Sequence, residues 1–320
     1  MPLISDLRND SRLCRNIIIV AVFLALFIVL DLAASAILLR GTERFYGLGS
    51  DADIVMIGHS HLMLAVDKVA LGEQTGLKVA KYTREGVNTA DRKVMAEQFF
   101  GNAAETPEVV ILSIDPWLFS GEGLSLNSWK LFLPFMNNRE VDSYIMNSAG
   151  RRFDYLRYKY IRTSRFNAQL LNASARGWLS NWDNLKYGVI DTSRYSDEES
   201  LRAFRPITFD RGLMDDFAAT LDFLNDQRAR VLLLNTPVWG PLVRANQSGY
   251  DRAMLVIDSI AGIHCPDAEI IDLVPQFSGR TELFFDLIHM NPEGQREVTA
   301  ALSSRLQVSL PEAENRLLNE

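Results

Sequence analysis

The feature that most limits what this chain can become is an apolar run near its start. Ile17 to Leu39 reads IIIVAVFLALFIVLDLAASAILL, 23 residues with a single charge, Asp31. At the rise of an α-helix this is roughly 34 Å, enough for a hydrocarbon core about 30 Å thick. A buried core helix seldom runs this long with apolar residues on every face, so the run reads as a transmembrane anchor. A cleaved signal peptide is the competing reading. It is weakened by the length of the stretch and by the scarcity of small residues before Arg40, where only Ala33-Ala34-Ser35 offers a site. Arg8, Arg12 and Arg15 precede the run, and Arg40 and Arg44 follow it. This mild bias puts the amino terminus in the cytoplasm and the remainder outside, periplasmic or at the cell surface. Asp31 falls about one helical turn past mid-membrane, where a carboxylate is costly. Either it faces a partner helix, or it is protonated or snorkels.

The rest of the chain has the makings of one α/β domain. Hydrophobic residues are 48% and charged residues 23%, ordinary for a globular chain with one extra apolar segment. The net charge of -7 argues against nucleic acid as a partner. Cys14 and Cys265 would lie on opposite sides of the membrane, which excludes a disulfide framework or a cysteine zinc site. Short apolar runs predict strands at Asp53 to Ile57, Lys78 to Tyr82, Val109 to Ile114, Arg230 to Leu234 and Glu269 to Leu273. Helical spacing is found at Ala90 to Gly101, Leu213 to Gln227, Tyr250 to Ala261 and Pro292 to Leu306. Such alternation predicts a parallel sheet covered on both faces. The organisation that follows is a cytoplasmic tail (1–16), the anchor (17–39), a linker (40–52) with a Gly-rich stretch from Tyr46 to Asp51, the α/β domain (53–310) and a tail (311–320).

The alternation breaks between Trp117 and Arg211, too far for a loop, so a largely helical insertion is expected at about 117–211. Within it, Arg151 to Phe166 carries six basic and five aromatic residues against one acid. That mixture suits an anionic glycan or an anionic membrane surface. A solvated helix with inward-packed aromatics explains it equally simply.

Two clusters offer chemistry. Gly58-His59-Ser60-His61 follows the first predicted strand of the domain. Sites in open parallel sheets lie beyond the carboxyl ends of strands, and a serine on a tight strand-to-helix turn is exposed. Asp286-Leu-Ile-His289 stands just before the last helix, where Asn291 suits an N-cap and Pro292 the first helical position. A carboxylate three residues before an imidazole can orient it, and the imidazole can take the proton of a serine hydroxyl. Each cluster alone is weak; their placement at the first and last elements of one domain gives them weight.

Taken together, these residues resemble the SGNH (GDSL-like) hydrolase and acyltransferase family over roughly Asp53 to Leu306. Ile57-Gly58-His59-Ser60 looks like its first block, with Ser60 as nucleophile. Glu85-Gly86-Val87-Asn88 looks like the second, with Gly86 as a backbone oxyanion donor beside that of Ser60. Phe285 to Asn291 looks like the last, with Asp286 and His289 completing a triad. The third block, Gly-x-Asn-Asp, is missing, and Ser113-Ile114-Asp115-Pro116 occupies its place. Asn88 is then a substitute oxyanion donor, and His59, His61 and Asp115 are candidates for shaping the site. The resemblance implies a three-layer, flavodoxin-like α/β/α fold and no cofactor. It is closest to the membrane-anchored subgroup that includes the D-alanyl transfer protein and the alginate O-acetylation proteins. For that subgroup the substrate is an acyl group on a polysaccharide, polymer or carrier, and the partner a membrane-bound O-acyltransferase. Two other readings remain open. His59, His61, Asp286 and His289 form a possible metal set for hydrolysis, and the degraded third block fits a catalytically inactive scaffold or glycan-binding protein.

Overall fold

The computed structural model describes residues 3–309 other than 104, 122–126 and 196, with side chains from residue 12 to residue 308. The tail assigned to 311–320 and the first two residues of the cytoplasmic tail lie outside the described residues. Among the described residues, five strands form one parallel sheet: β1 Ile54–Gly58, β2 Val79–Thr83, β3 Val109–Ile114, β4 Arg230–Asn235 and β5 Glu269–Asp272. Their order is β2-β1-β3-β4-β5, the flavodoxin-like arrangement of a doubly wound sheet. Alternate strand residues point to opposite faces. Val55, Ile57, Val110, Leu112, Val231 and Leu233 enter one core; Ile54, Met56, Val109, Ile111, Leu232 and Leu234 enter the other. Both faces are covered, which is why these strands read as unbroken apolar runs.

Helices Thr89–Asn102, Arg211–Asp226 and Gln247–His264 cover the first face, and Lys68–Thr75 and Pro292–Ser309 cover the second. The helix Ser60–Ala65 follows the strand-to-helix turn expected at Ser60, while the short helices Lys68–Thr75, Gly240–Ala245 and Val274–Phe277 have no counterpart in the sequence reading. Each has eight residues or fewer, too short to display a clear 3.6-residue period. The insertion is helical, as expected, with helices Arg139–Ser148, Arg152–Tyr160, Ala168–Trp178 and Glu198–Phe204. It is not a separate body. Phe132, Val141, Ile145, Tyr158 and Ala173 belong to the same buried cluster as Val55 and Phe99.

The amino-terminal helix runs without a break from Leu3 to Tyr46. One stretch of it, Arg12–Tyr46, is long and apolar enough to cross a membrane. The segment expected to be a linker at 40–52 is therefore helix for more than half its length, and Tyr46 and Leu48 are buried in the domain core. Within the helical part of that segment, Gly41 serves close approach. A Cβ there would stand 2.4 Å from the Ser174 carbonyl oxygen, and one at Gly177 would stand 1.8 Å from the Gly41 oxygen. The paired glycines let the long helix and helix Ala168–Trp178 touch backbone to backbone.

Asp31 takes neither of the roles open to it in the sequence. Its carboxylate accepts the backbone N–H groups of Arg162 (2.8 Å) and Thr163 (2.9 Å) and the Thr163 hydroxyl. It caps a turn of the insertion rather than meeting another transmembrane helix or reaching for water.

Candidate active site

The site lies at the carboxyl ends of β1 and β3 and on the loop before the last helix. β1 ends at Gly58, where any side chain would collide: a Cβ would be 2.4 Å from that of Ser113 on β3. The chain then turns through His59, extended at φ -102 and ψ -163, into the helix Ser60–Ala65. The register pairs Gly58 with Thr83, and the Arg84 N–H donates to the Gly58 carbonyl (3.1 Å). This brings the loop containing Gly86 alongside the Ser60 turn. Gly86 has φ +74, a left-handed conformation that favours glycine.

On the other side, Asp286 closes a small turn by accepting the N–H groups of Ile288 (3.0 Å) and His289 (2.9 Å). A bridge between Phe284 and Met290 pins the base of that loop. Asn291 is the N-cap foreseen in the sequence, accepting from the Gly294 N–H at 3.0 Å, while its amide donates to the Glu282 and Gly188 carbonyls at 2.7 and 3.1 Å. Held this way, Asp286 Oδ2 is 2.8 Å from His289 Nδ1, and His289 Nε2 is 2.9 Å from Ser60 Oγ. Burial would raise the Asp286 carboxyl, but the bond and charge of His289 and the two backbone donors hold it below the usual range. It is thus an anion at neutral pH, able to stabilise an imidazolium.

Behind Ser60 lies a second polar cluster. His59 Nδ1 is 3.2 Å from Ser113 Oγ, and its Nε2 is 3.0 Å from Asp115 Oδ2. The Arg92 guanidinium stands 3.5 Å from the same carboxylate oxygen and donates to the Ser113 carbonyl at 2.8 Å. Asp115 Oδ1 accepts from the Trp117 N–H (2.8 Å). Burial would raise the Asp115 carboxyl; His59, His61 and Arg92 hold it well below the usual range. Arg92 is not singled out by the sequence, and Ser113 is marked there only by its place in the missing third block. The available signal was a cation beside Val94, Met95 and Ala96 on the buried face of a helix.

His61 is 1% exposed, lies 4.2 Å from the His59 ring and 5.5 Å edge-on from His289, and has no hydrogen-bond partner among the described residues. Asn88 sits in the second-block loop, but its side chain accepts from the Asp91 N–H as the N-cap of helix Thr89–Asn102. His264, outside both clusters, pairs with Asp222 on the surface at 2.9 Å.

The four residues weighed as a metal set fall into two groups. Asp286 and His289 are engaged with Ser60, while His59, His61 and Asp115 present ligand atoms within 4.8 Å of one another. In that trio, Arg92 already supplies a positive charge to the carboxylate, and a divalent cation would have to share it.

The buried imidazoles make a testable pH dependence. Burial lowers His59 to about 4 and His61 well below its ordinary value. Below the unfolded value of about 6.5, the unfolded chain takes up protons that the fold refuses. The two imidazoles should therefore make stability fall as pH drops from about 6.5 towards 4, and their contribution levels off above that window, where burial of Lys81, lowered to about 7, continues the same slope. The lowered carboxyls of Asp115 and Asp286 act in the same direction only at lower pH. Urea midpoints measured across this range check the slope, and His61→Phe should flatten it. A midpoint independent of pH there would show that the two rings are not held neutral by the fold.

An open parallel sheet thus carries a carboxylate, an imidazole and a serine hydroxyl in hydrogen-bond series at its carboxyl edge, an arrangement able to draw the proton from the hydroxyl. No family model matches the chain, and no curated protein does. Solved structures resemble it at low identity. A lipase, Lip_vut3, from a goat rumen metagenome is 11% identical, with a TM-score of 0.38, over 78% of this chain and 95% of its own. A protein of Desulfitobacterium hafniense DCB-2, described as a lipolytic protein of the G-D-S-L family, is 9% identical, with a TM-score of 0.39, over 78% and 97%. One from Streptococcus pneumonia, described as a platelet activating factor, is 10% identical, with a TM-score of 0.41, over 90% and 98%. The reading of the site rests on its own geometry.

Proposed function

We propose that the chain is a membrane-anchored serine esterase or O-acyltransferase of the SGNH type, acting outside the cytoplasm on acyl groups of a cell-surface polysaccharide, polymer or carrier. One observation carries this reading: Asp286, His289 and Ser60 stand in hydrogen-bond sequence at 2.8 and 2.9 Å, although Ser60 is 229 residues from His289. Ser60 Oγ attacks the acyl carbonyl carbon while His289 Nε2 takes its proton. The carbonyl oxygen becomes an oxyanion, met by the backbone N–H groups of Ser60 and Gly86. Collapse of the tetrahedral species breaks the ester bond, and His289 returns the proton to the leaving alcohol. The acyl group is then esterified to Ser60. Water or a polymer hydroxyl, deprotonated by His289, removes it and restores the free serine.

The chemistry requires no cofactor. A cavity of about 250 Å³ lies beside the nucleophile's helix, lined by Met63, Leu64, Arg84, Glu85, Arg176 and Lys186 among others. Ser60, Asp286 and His289 are not among its lining residues, so this cavity does not define the acyl subsite. A membrane-bound O-acyltransferase is the partner that such an anchored acceptor of acyl groups would need.

A fluorophosphonate probe tests the reading, because it traps activated serines. The purified full-length chain should label at Ser60 in the presence of EDTA. A folded protein that never labels would leave the inactive scaffold as the better reading. Topology is tested separately by a reporter fused after Glu320. A reporter that works only outside the cytoplasm should be active, and signal from one that works only inside would reject the orientation.

A further inference from the structure

The long helix changes character at Asp31. From Leu13 to Leu30 it shows apolar side chains to the outside on all sides. Beyond that point one face is covered. Asp31, Ser35 and Thr42 are buried, at 7%, 6% and 0% exposure, while Leu32 and Ile37 on the opposite side stay open at 41% and 60%. The covering comes from the insertion. Arg162 and Thr163 donate to Asp31, Ser174 and Gly177 lie against Gly41, and the Trp178 indole N–H donates to the Ile37 carbonyl at 3.0 Å.

This packing has a consequence for depth. A hydrocarbon core takes about 20 helical residues. Counted from Ile17, about 20 residues end near Ala36, so Asp31 lies roughly 8 Å inside the boundary on the side of the folded domain. A carboxylate at that depth is costly unless protein covers it, and here three donors from the insertion do so. The donors, and the elements joined to them, must reach the same depth.

The outer surface of these elements matches that position. Phe153, Leu156 and Tyr160, spaced three and four residues apart, share one face of helix Arg152–Tyr160 at 78%, 39% and 78% exposure. On the opposite face Tyr158 is buried and the Tyr155 hydroxyl donates to Asp142. Trp178 and Leu179 add 45% and 77% exposure at the end of the neighbouring helix. Arg151, Arg152 and Arg157 are exposed along the same segment. Apolar and aromatic side chains beside cations are the composition of a helix lying in the headgroup zone of an anionic bilayer.

We propose that the insertion is a second membrane-binding element. The exposed face of Phe153, Leu156 and Tyr160, and the exposed Trp178 and Leu179 beside the anchor, are sunk in the leaflet on the folded domain's side, with the arginines among anionic headgroups. The proposal rests on the anchor reading above. It adds that the domain is clamped to the bilayer surface rather than tethered above it.

The test uses the full-length chain in nanodiscs, with Cys14→Ser and the buried Cys265 retained. An environment-sensitive fluorophore is placed by Phe153→Cys, Tyr160→Cys or Leu179→Cys, with Phe23→Cys as the anchor control. Leu255→Cys and Ile263→Cys, exposed at 70% and 73% on helix Gln247–His264, are the solvent controls. Lipids carrying a nitroxide on the acyl chain should quench positions 153, 160 and 179 as well as 23, and leave 255 and 263 bright. Quenching at 153 should be greater in anionic than in zwitterionic nanodiscs and should weaken with salt. If 153, 160 and 179 stay as bright as 255 while 23 is quenched, the clamp is overturned and the anchor stands. If 23 also stays bright, the anchor reading fails and the proposal with it. If an acidic polysaccharide shifts the emission at 153 and the lipids do not, the surface is a glycan site and the proposal is overturned.

Discussion

Replacing Ser60 by alanine should abolish acyl-enzyme formation and fluorophosphonate labelling while leaving the fold in place. The hydroxyl's hydrogen bond is to His289 Nε2, so its loss removes one partly buried contact, worth about 1 kcal/mol. It removes the nucleophile entirely. The paired measurement is labelling, read by mass spectrometry of the modified peptide, against the thermal unfolding profile of the same preparation. His289→Ala should come close to the same loss, because the serine proton then has no acceptor within reach. Retained turnover in a folded Ser60→Ala protein would refute nucleophilic catalysis by this residue. Absent labelling in wild type, with a cellular phenotype lost on Ser60→Ala, would point instead to a serine activated by a partner.

The second large effect is expected from Asp286→Asn. Asp286 does two jobs: Oδ1 accepts two backbone N–H groups of its own loop, and Oδ2 faces His289 Nδ1. Asparagine can keep its carbonyl oxygen on the backbone donors, so the loop should survive. Its amide then presents N–H groups to Nδ1. That favours the tautomer with the proton on Nε2, the atom that must accept from Ser60. Turnover should fall by up to about 10⁴-fold, as in other serine triads, with little change in the urea midpoint. Steady-state hydrolysis of an activated acetyl ester measures the first, and chemical denaturation the second. An Asn variant within a few-fold of wild type would mean that the carboxylate is structural only.

Much of this architecture was legible in the sequence for a physical reason. Strands buried on both faces read as apolar runs, so β3 was expected at Val109 to Ile114 and is found there. The start of the last helix was legible in Asn291 and Pro292, because capping is local chemistry. Ser60, Asp286 and His289 stood out for the same reason: each lies at a strand end or helix start that local patterning marks. The stretch from Arg40 to Tyr46, expected as linker beside the Gly-rich run of Tyr46 to Asp51, is helix instead, because its glycine serves a tight helix crossing. Only the presence of Ser174 and Gly177 opposite Gly41 distinguishes that crossing from a tether.

The apolar span, the five strands and their alternation with helices, and the serine, imidazole and carboxylate at element ends are all readable from local sequence. These follow from hydrophobic period and capping, which act over a few residues. The tertiary structure decided the strand order, the buried contacts of His59 with Asp115 and of Asp115 with Arg92, and the partners of Asp31. A buried charge must be compensated, but the compensating group is selected by which surfaces meet when the chain closes on itself. For Asp31 that group lies 131 residues away, in a segment whose local pattern carries no trace of the pairing.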